Sequence, residues 1–188
     1  SLSAVASGQN KASDNAAGLA IATQLRSDVS TLRQASTNLL EGSSLLQTAD
    51  GGLDRAGNIL NRMKDLSTQA NSGSLDNASR SAINDEYQNL KTELNGISSS
   101  TSFNGQTLLN GTYNNNFQAG TTSSDVVAAD LTSVNVSATG LGLTAGAGDS
   151  STALTTQAGA QAASAELDTA IQNLSAQRAH VGSIQSGF

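Results

Sequence analysis

The chain has 188 residues and a formal net charge of −6, so it can hold one domain, and its acidity argues against a surface that binds nucleic acid or anionic membrane. It has no cysteine, which excludes disulfide bonds, thiolate metal sites and cysteine nucleophiles. Proline is also absent and aromatic residues make up only 3% of the chain, a composition that favours long unkinked helices packed through aliphatic seams.

The first predicted element is one long helix over residues 14–71, preceded by an irregular lead-in at residues 1–13. Leucine recurs at every seventh position, and heptad spacing places these side chains on one stripe that packs against other helices. The leucines are Leu25, Leu32, Leu39, Leu46, Leu53 and Leu60. A break at Gly51 and Gly52 would give two ordinary helices, but the leucine phase continues through them. We therefore predict one continuous helix, about 85 Å long, with Asp14 near its N-cap.

A second helix is predicted over residues 75–98, after a short polar link. Its apolar residues alternate in steps of four and three, which is the spacing of a helix-packing seam. They are Ile83, Tyr87, Leu90, Leu94 and Ile97. The short link implies that this helix folds back antiparallel onto the end of the first. Two Asn-Gly pairs, at 104–105 and 110–111, then predict one or two small hairpins within residues 101–119.

Residues 120–151 are rich in Thr, Ser, Gly, Ala and Asp, and they predict a small, irregular, exposed insertion. Short strands are expected around Val126-Val127, Val134 and Val136. The segment is too poor in apolar bulk for a strong core of its own. It therefore predicts only a small variable knob on the outside of the molecule.

The last helix is predicted over about residues 153–186. Its apolar stripe is Leu167, Ile171, Leu174, Val181 and Ile184. The lengths of the second and third helices add up to about the length of the first. The first helix can therefore pack against both of them.

These elements predict a mainly α fold, an elongated antiparallel bundle of long helices with a small β-hairpin and irregular insertion. Residues 1–119 form the first part of the helical rod, residues 120–151 the insertion, and residues 152–188 the helix that completes the rod. Wherever the long helix has only one partner, apolar surface stays open and invites helices from other copies.

The chain carries few groups for catalysis. His180 is its one histidine, and it contains no HExxH, CxxC or Gly-x-Ser-x-Gly motif. Asp85, Glu86 and Glu93 are carboxylates on a regular helix rather than in a cleft. We therefore expect no catalytic residue, no metal ligand and no cofactor, and hence no enzyme. The absence of an apolar run of about 20 residues argues against membrane insertion.

Three blocks of sequence resemble the N-terminal signature of the bacterial flagellins. They are residues 12–22, beginning Ala-Ser-Asp-Asn-Ala-Ala-Gly, residues 45–53, reading Leu-Leu-Gln-Thr-Ala-Asp-Gly-Gly-Leu, and residues 60–70, beginning Leu-Asn-Arg-Met-Lys-Asp-Leu. Residues 102–109 and 117–120 resemble the hairpin region of that family. The last helix, residues 165–185, is a looser match.

The resemblance implies a structural subunit that self-assembles into the bacterial flagellar filament for motility. It implies an extracellular location, reached through the flagellum's own secretion channel. The implied partners are other copies of the chain, the flagellar cap and an export chaperone. It also implies that the chain is the helical rod of a flagellin without the terminal helices that extend the rod in that family. The alternatives are a hook-filament junction protein of the same superfamily and a coiled-coil adhesin or binding module.

Flagellins are also recognised by a Toll-like receptor through this rod. By motif position, the resemblance implies that Arg62, Leu66 and Glu86 make that contact. Asn61 stands where the family usually has glutamine, and Ser67-Thr68 where Ala-Val is more typical. The alternative interpretation is that Arg62 and Glu86 only pair with each other across the helices or between subunits.

Overall fold

A computed structural model describes residues 2–143 and 150–188, with the side chains of residues 2–13 outside the description. Within these ranges the chain forms three helices and four short strands. The elements are α1 (Leu2–Ala70), α2 (Asn77–Ser100), β1 (Ser102–Phe103), β2 (Gln106–Thr107), β3 (Asn114–Gln118), β4 (Val126–Asp130) and α3 (Gln157–Gln185). The part of the predicted insertion at 144–149 lies outside the described residues. The described elements confirm the mainly α fold class with small antiparallel strand pairs.

Helix α1 runs without a break from Leu2 to Ala70. The expectation of an irregular lead-in is therefore wrong from Leu2 onward, and Asp14 lies inside the helix rather than at its N-cap. The lead-in has no proline and carries three alanines, so it contains no residue that stops the helix. Gly52 has a packing role, since a Cβ there would lie 2.5 Å from the Leu109 side chain. This close approach offsets the cost of about 1 kcal/mol for glycine in a helix.

Helices α2 and α3 both run antiparallel to α1 and lie along the same C-terminal half of it. At one end the Arg80 side chain of α2 reaches the backbone of Ala70, and Gln157 of α3 reaches Asn71. Towards the other end Thr101 lies against Gly52. The two shorter helices thus pack side by side against the same part of α1, rather than one after the other along its length. Its N-terminal half has no described helix beside it.

Capping residues set where the shorter helices begin. Asp76 is the N-cap of α2, where its carboxylate accepts a hydrogen bond of 2.8 Å from the Ser79 backbone N–H. Thr156 caps α3 in the same way through the Gly159 backbone N–H, at 3.0 Å. Both helices therefore start slightly later than the apolar spacing predicts.

The four strands form two antiparallel pairs. Strands β1 and β2 make the tight hairpin predicted at residues 104–105, with Asn104 and Gly105 at φ of 51° and 77°. Strands β3 and β4 pair over five residues, from Asn114 opposite Asp130 to Gln118 opposite Val126. The second Asn-Gly pair makes no hairpin turn. Asn110 instead forms an isolated bridge with Asn135.

The segment after β4 belongs to the core, so the prediction of an exposed insertion is wrong for residues 131–143. Its apolar side chains are fully buried; they are Leu131, Val134, Val136, Leu141 and Leu143. No strand forms around Val134 and Val136. The Gln177 side chain of α3 satisfies the backbone instead, accepting from the Asn135 N–H and donating to the Asn135 carbonyl, both at 3.0 Å.

Candidate assembly surface

The leucine stripe of α1 divides into a packed half and a bare half near Gly42. Leu46, Leu53 and Leu60 are fully buried in the half of α1 that the other elements cover, and Leu39 is half-buried. Leu25 and Leu32 are 57% and 49% exposed. Their predicted packing within the chain is therefore wrong, because α2 and α3 extend only along the C-terminal half of α1.

The seams predicted on α2 and α3 lie on the faces that meet α1. On α3, Leu167, Leu174 and Val181 are buried and Ile171 is half-buried. On α2, Tyr87 and Leu94 are buried, while Ile83 and Leu90 are half-buried at the edge of the buried face. Polar side chains fill the rest of that face; they are Arg80, Asn84 and Ser98.

Arg80 has a structural role that apolar spacing does not reveal. Its Nε–H donates to the Ala70 carbonyl and its Nη2–H to the Ser72 carbonyl, each at 2.7 Å. These groups lie at the end of α1, where carbonyls lack partners within the helix. The sequence signal for this cap is a cation ten residues beyond the end of the helix, which is too far away to be found from local spacing.

The bare half of α1 carries a row of exposed apolar side chains. The large ones are Leu19, Ile21, Leu25, Val29, Leu32 and Leu40. Leu25, Val29 and Leu32 have helical spacing of four and three, so they share one face, which we call the bare stripe. An open groove beside it is lined by Arg26 and Arg33. The bare stripe is thus apolar, with Arg26 and Arg33 along one side and Asp28 on the other, on a chain whose net charge is −6.

A family match covers the part of the chain that contains this surface. Residues 1–114 match the family model described as bacterial flagellin N-terminal helical region, which is more than half of the chain. The chain belongs to the flagellin family. Flagellins are structural proteins, and the junction-protein and adhesin alternatives are not favoured by the matches.

Similar flagellins come from several bacteria. A flagellin from Halalkalibacterium halodurans is 36% identical over 178 residues, which is 94% of this chain and 63% of that protein. Polar flagellin F from Vibrio parahaemolyticus is 42% identical over 126 residues, 66% of this chain and 33% of that protein. This flagellin therefore spans between about a third and two-thirds of the length of these relatives.

Solved flagellin structures share the fold. The crystal structure of Bacillus cereus flagellin matches with a TM-score of 0.64 and 29% identity, over 79% of this chain and 82% of that one. FliC from Burkholderia pseudomallei matches with a TM-score of 0.50 and 37% identity, over 54% and 39% of the two chains. The three-helix arrangement of this flagellin is thus one found in the family.

The three residues predicted to contact a receptor have different surroundings in this flagellin. Arg62 and Glu86 are each nearly half exposed and form a two-bond ion pair between α1 and α2, at 2.8 and 3.0 Å. The Glu86 hydrogen bond raises the pKa of Arg62. Leu66 is only 1% exposed, so its predicted contact with a receptor is wrong for this fold. It packs in the core instead.

The histidine and the Arg178 ion pairs connect elements of the fold. His180 Nε2 lies 2.8 Å from the Asp130 carbonyl, which joins α3 to the end of β4. Arg178 of α3 lies 3.5 Å from Asp50 and 3.6 Å from Asp54 of α1. Over the described residues, no three His, Cys, Asp or Glu side chains group as metal ligands. Nor does any helix in this part of the chain combine the length and hydropathy needed to cross a bilayer.

Proposed function

We propose that this flagellin is a structural subunit that self-assembles into the bacterial flagellar filament, outside the cell. The bare stripe of Leu25, Val29 and Leu32 is the observation that carries the proposal. In the other half of α1, the leucines of the same phase are fully buried. A stripe with identical spacing and no partner among the described residues is suited to a contact between copies.

The expected burial energy is small for one contact between two subunits, but a filament repeats that contact many times. Full burial of a leucine or valine side chain contributes about 1.5–3 kcal/mol, so covering one that is half exposed contributes roughly 1 kcal/mol. Three such side chains give roughly 3 kcal/mol before the entropy of association. A filament repeats the contact at every subunit, whereas a pair of free subunits makes it once.

The position of the bare stripe favours open assembly. It lies on the N-terminal half of the rod, while the packed helices occupy the other half, so the two ends of the molecule present different surfaces. A contact between unlike surfaces is heterologous, and it continues as a helical array unless a rotation closes it. Arg26 and Arg33, along one side of the stripe, also favour contact with acidic side chains of a neighbouring copy.

Seeded polymerisation tests the proposal. The protein as its bacterium makes it, added to short filament seeds, should give long filaments in electron micrographs. Leu32→Asp should abolish growth, because it would place a carboxylate in an apolar contact, whereas Leu32→Met keeps the apolar volume and should grow normally. Growth that stops after one layer would indicate a junction protein, and no growth with any variant would indicate an adhesin.

The accessory partners belong to the same proposal. Resemblance to the flagellins supports export through the flagellar channel, an export chaperone and a cap at the growing tip. Recognition by a Toll-like receptor stays a prediction, now carried by Arg62 and Glu86 without Leu66. Binding of a receptor ectodomain to Arg62→Ala and Glu86→Ala tests it. Unchanged binding by both variants would leave the ion pair with a structural role only.

A further inference from the structure

The dipeptide Asn-Gly occurs three times in the chain, and the structure places the three copies in different surroundings. They are Asn95-Gly96, Asn104-Gly105 and Asn110-Gly111. In this dipeptide the backbone nitrogen of glycine can attack the asparagine side-chain amide, because glycine has no Cβ to obstruct the approach. We propose that Asn104 is a site of spontaneous deamidation in the folded protein, and that the fold protects the other two.

The reaction needs only water. The Gly105 nitrogen attacks Cγ of Asn104, and the new C–N bond closes a five-membered succinimide ring. The Cγ–Nδ2 bond breaks, and the amide nitrogen leaves as ammonia with the proton from Gly105. Water then adds to either ring carbonyl and opens the ring. One opening gives aspartate, and the other gives isoaspartate, in which the backbone runs through the former side chain.

The surroundings of Asn104 favour this attack. Asn104 is exposed in the β1–β2 turn, and within the described chain its side chain has no hydrogen-bond partner. Gly105 is also exposed and lies outside the two residue pairs of the hairpin, so no ladder hydrogen bond holds its nitrogen. The hairpin has only two residue pairs. So short a ladder opens readily, and the backbone can then reach the geometry that ring closure requires.

The helix protects Asn95. Ring closure requires the asparagine backbone to leave helical ψ, and Asn95 lies in the interior of α2, next to the fully buried Leu94. Its Oδ1 also accepts a 2.8 Å hydrogen bond from the Ala138 backbone N–H. Reaction at Asn95 therefore needs the unwinding of a packed helix, although the residue itself is exposed.

Backbone pairing protects Asn110. The attacking nitrogen, that of Gly111, donates a 2.9 Å hydrogen bond to the Val134 carbonyl. Asn110 itself bridges to Asn135, and the residue before it, Leu109, is fully buried. Freeing the Gly111 nitrogen therefore requires core contacts to open, which costs far more than fraying of the β1–β2 hairpin.

Deamidation would change this corner of the molecule in two ways. Asn104 and Glu41 line the same cleft, so a new carboxylate at position 104 adds like charge there. Isoaspartate lengthens the backbone of the turn by one carbon, which disrupts the pairing of Phe103 with Gln106. Phe103 packs against the core, so its anchor on α1 would loosen.

Peptide mapping by mass spectrometry tests the proposal on folded protein held at mildly alkaline pH. Conversion at Asn104 should exceed that at Asn95 and Asn110 by more than about tenfold, with both aspartate and isoaspartate formed. In concentrated urea the three rates should converge, because the dipeptides are identical once the fold is lost. Asn104→Gln should remove the early acidic species seen on ion exchange, because a six-membered ring closes slowly. Equal rates in the folded protein, or faster conversion at either other asparagine, would overturn the proposal.

Discussion

The aromatic ring of Phe188 lies against the backbone of Gly42, so closely that a Cβ at position 42 would sit 2.2 Å from Phe188 Cε1. The same ring meets Phe117 edge-to-face, with centroids 5.3 Å apart and planes at 80°. One helical turn before Gly42, the Asn38 side chain donates a 3.2 Å hydrogen bond to the Gln118 carbonyl. These contacts hold the end of α3 and strand β3 on α1 where its packed half gives way to its bare half.

Gly42→Ala should lower the free energy of unfolding by about 1 kcal/mol. The added methyl group displaces the Phe188 ring, at a cost of about 1–3 kcal/mol that exceeds the gain of up to about 1 kcal/mol from removing a helix glycine. Gly51→Ala is the matched control, since a Cβ there meets nothing within 4 Å, and it should raise the free energy. Urea unfolding followed by circular dichroism measures both. Equal gains from the two substitutions would show that Phe188 does not occupy this position.

Leu53→Asp and Leu32→Asp should affect the unassembled chain very differently. Leu53 is fully buried, so an aspartate there places an unpaired charge in the core and should cost several kcal/mol. Leu32 is half exposed, and the same change should shift the free energy of unfolding by less than about 0.5 kcal/mol. A thermal melt of each purified variant distinguishes the two. A large loss with Leu32→Asp would mean that another element covers that leucine.

Arg80→Met should destabilise the fold by about 2–4 kcal/mol. Methionine keeps much of the apolar stem but leaves the buried Ala70 carbonyl and the partly buried Ser72 carbonyl without their donor. An unpaired buried carbonyl costs about 1–3 kcal/mol. Arg62→Met is the control, because its ion pair with Glu86 is exposed and contributes about 0–1 kcal/mol. Hydrogen exchange at the end of α1 should quicken only in Arg80→Met. Equal exchange in both variants would contradict the capping role.

Acidification should weaken the start of α2. The Ser79 backbone N–H lowers the pKa of Asp76, so folding is favoured by its ionised form. Because the folded pKa lies below the unfolded one, this stabilisation is present above the ordinary aspartate pKa, about 3.9, and is lost as the pH falls through the lower folded value. Hydrogen bonds from Thr122 and Thr132 likewise lower the pKa values of Asp125 and Asp130. Acidification should therefore weaken the fold at these two aspartates as well.

The substitution Asp76→Asn keeps an N-cap side chain but removes its ionisable carboxylate. Asparagine is also a good N-cap but does not titrate, so the variant should lose less stability between neutral and acidic pH than the native chain. Urea midpoints at a series of pH values measure this. Identical pH dependence of the two proteins would show that Asp76 has the same pKa folded and unfolded.

Heptad spacing identifies the helices, but it does not show which part of a stripe is covered. Leu32 and Leu53 have the same heptad phase, yet one is half exposed and the other fully buried. The difference arises because the helices beside α1 extend only along its C-terminal half. That depends on tertiary packing, and a local pattern does not carry this information.

Polar residues with core roles are equally hard to predict from periodicity. Gln177 and Asn84 lie on the buried faces of α3 and α2, where they bond to the backbone of residues 135, 151 and 154. Those backbone segments come from a low-complexity stretch whose few apolar residues gave little sign of burial. Leu141 and Leu143 are buried in the same core, and Asn173 of α3 donates to the Leu141 carbonyl. These contacts join residues that are distant in the sequence, so a local pattern does not reveal them.

Thiol labelling at position 32 tests the role of the bare stripe most directly. The 188 residues contain no cysteine, so Leu32→Cys would place the one thiol of this sequence on the bare stripe. We predict that a maleimide reagent labels it rapidly in the unassembled protein and slowly in filaments, with full labelling restored when the filaments are dissociated. Equal labelling rates in filaments and in free subunits would contradict the claim that this face is covered by a neighbouring copy.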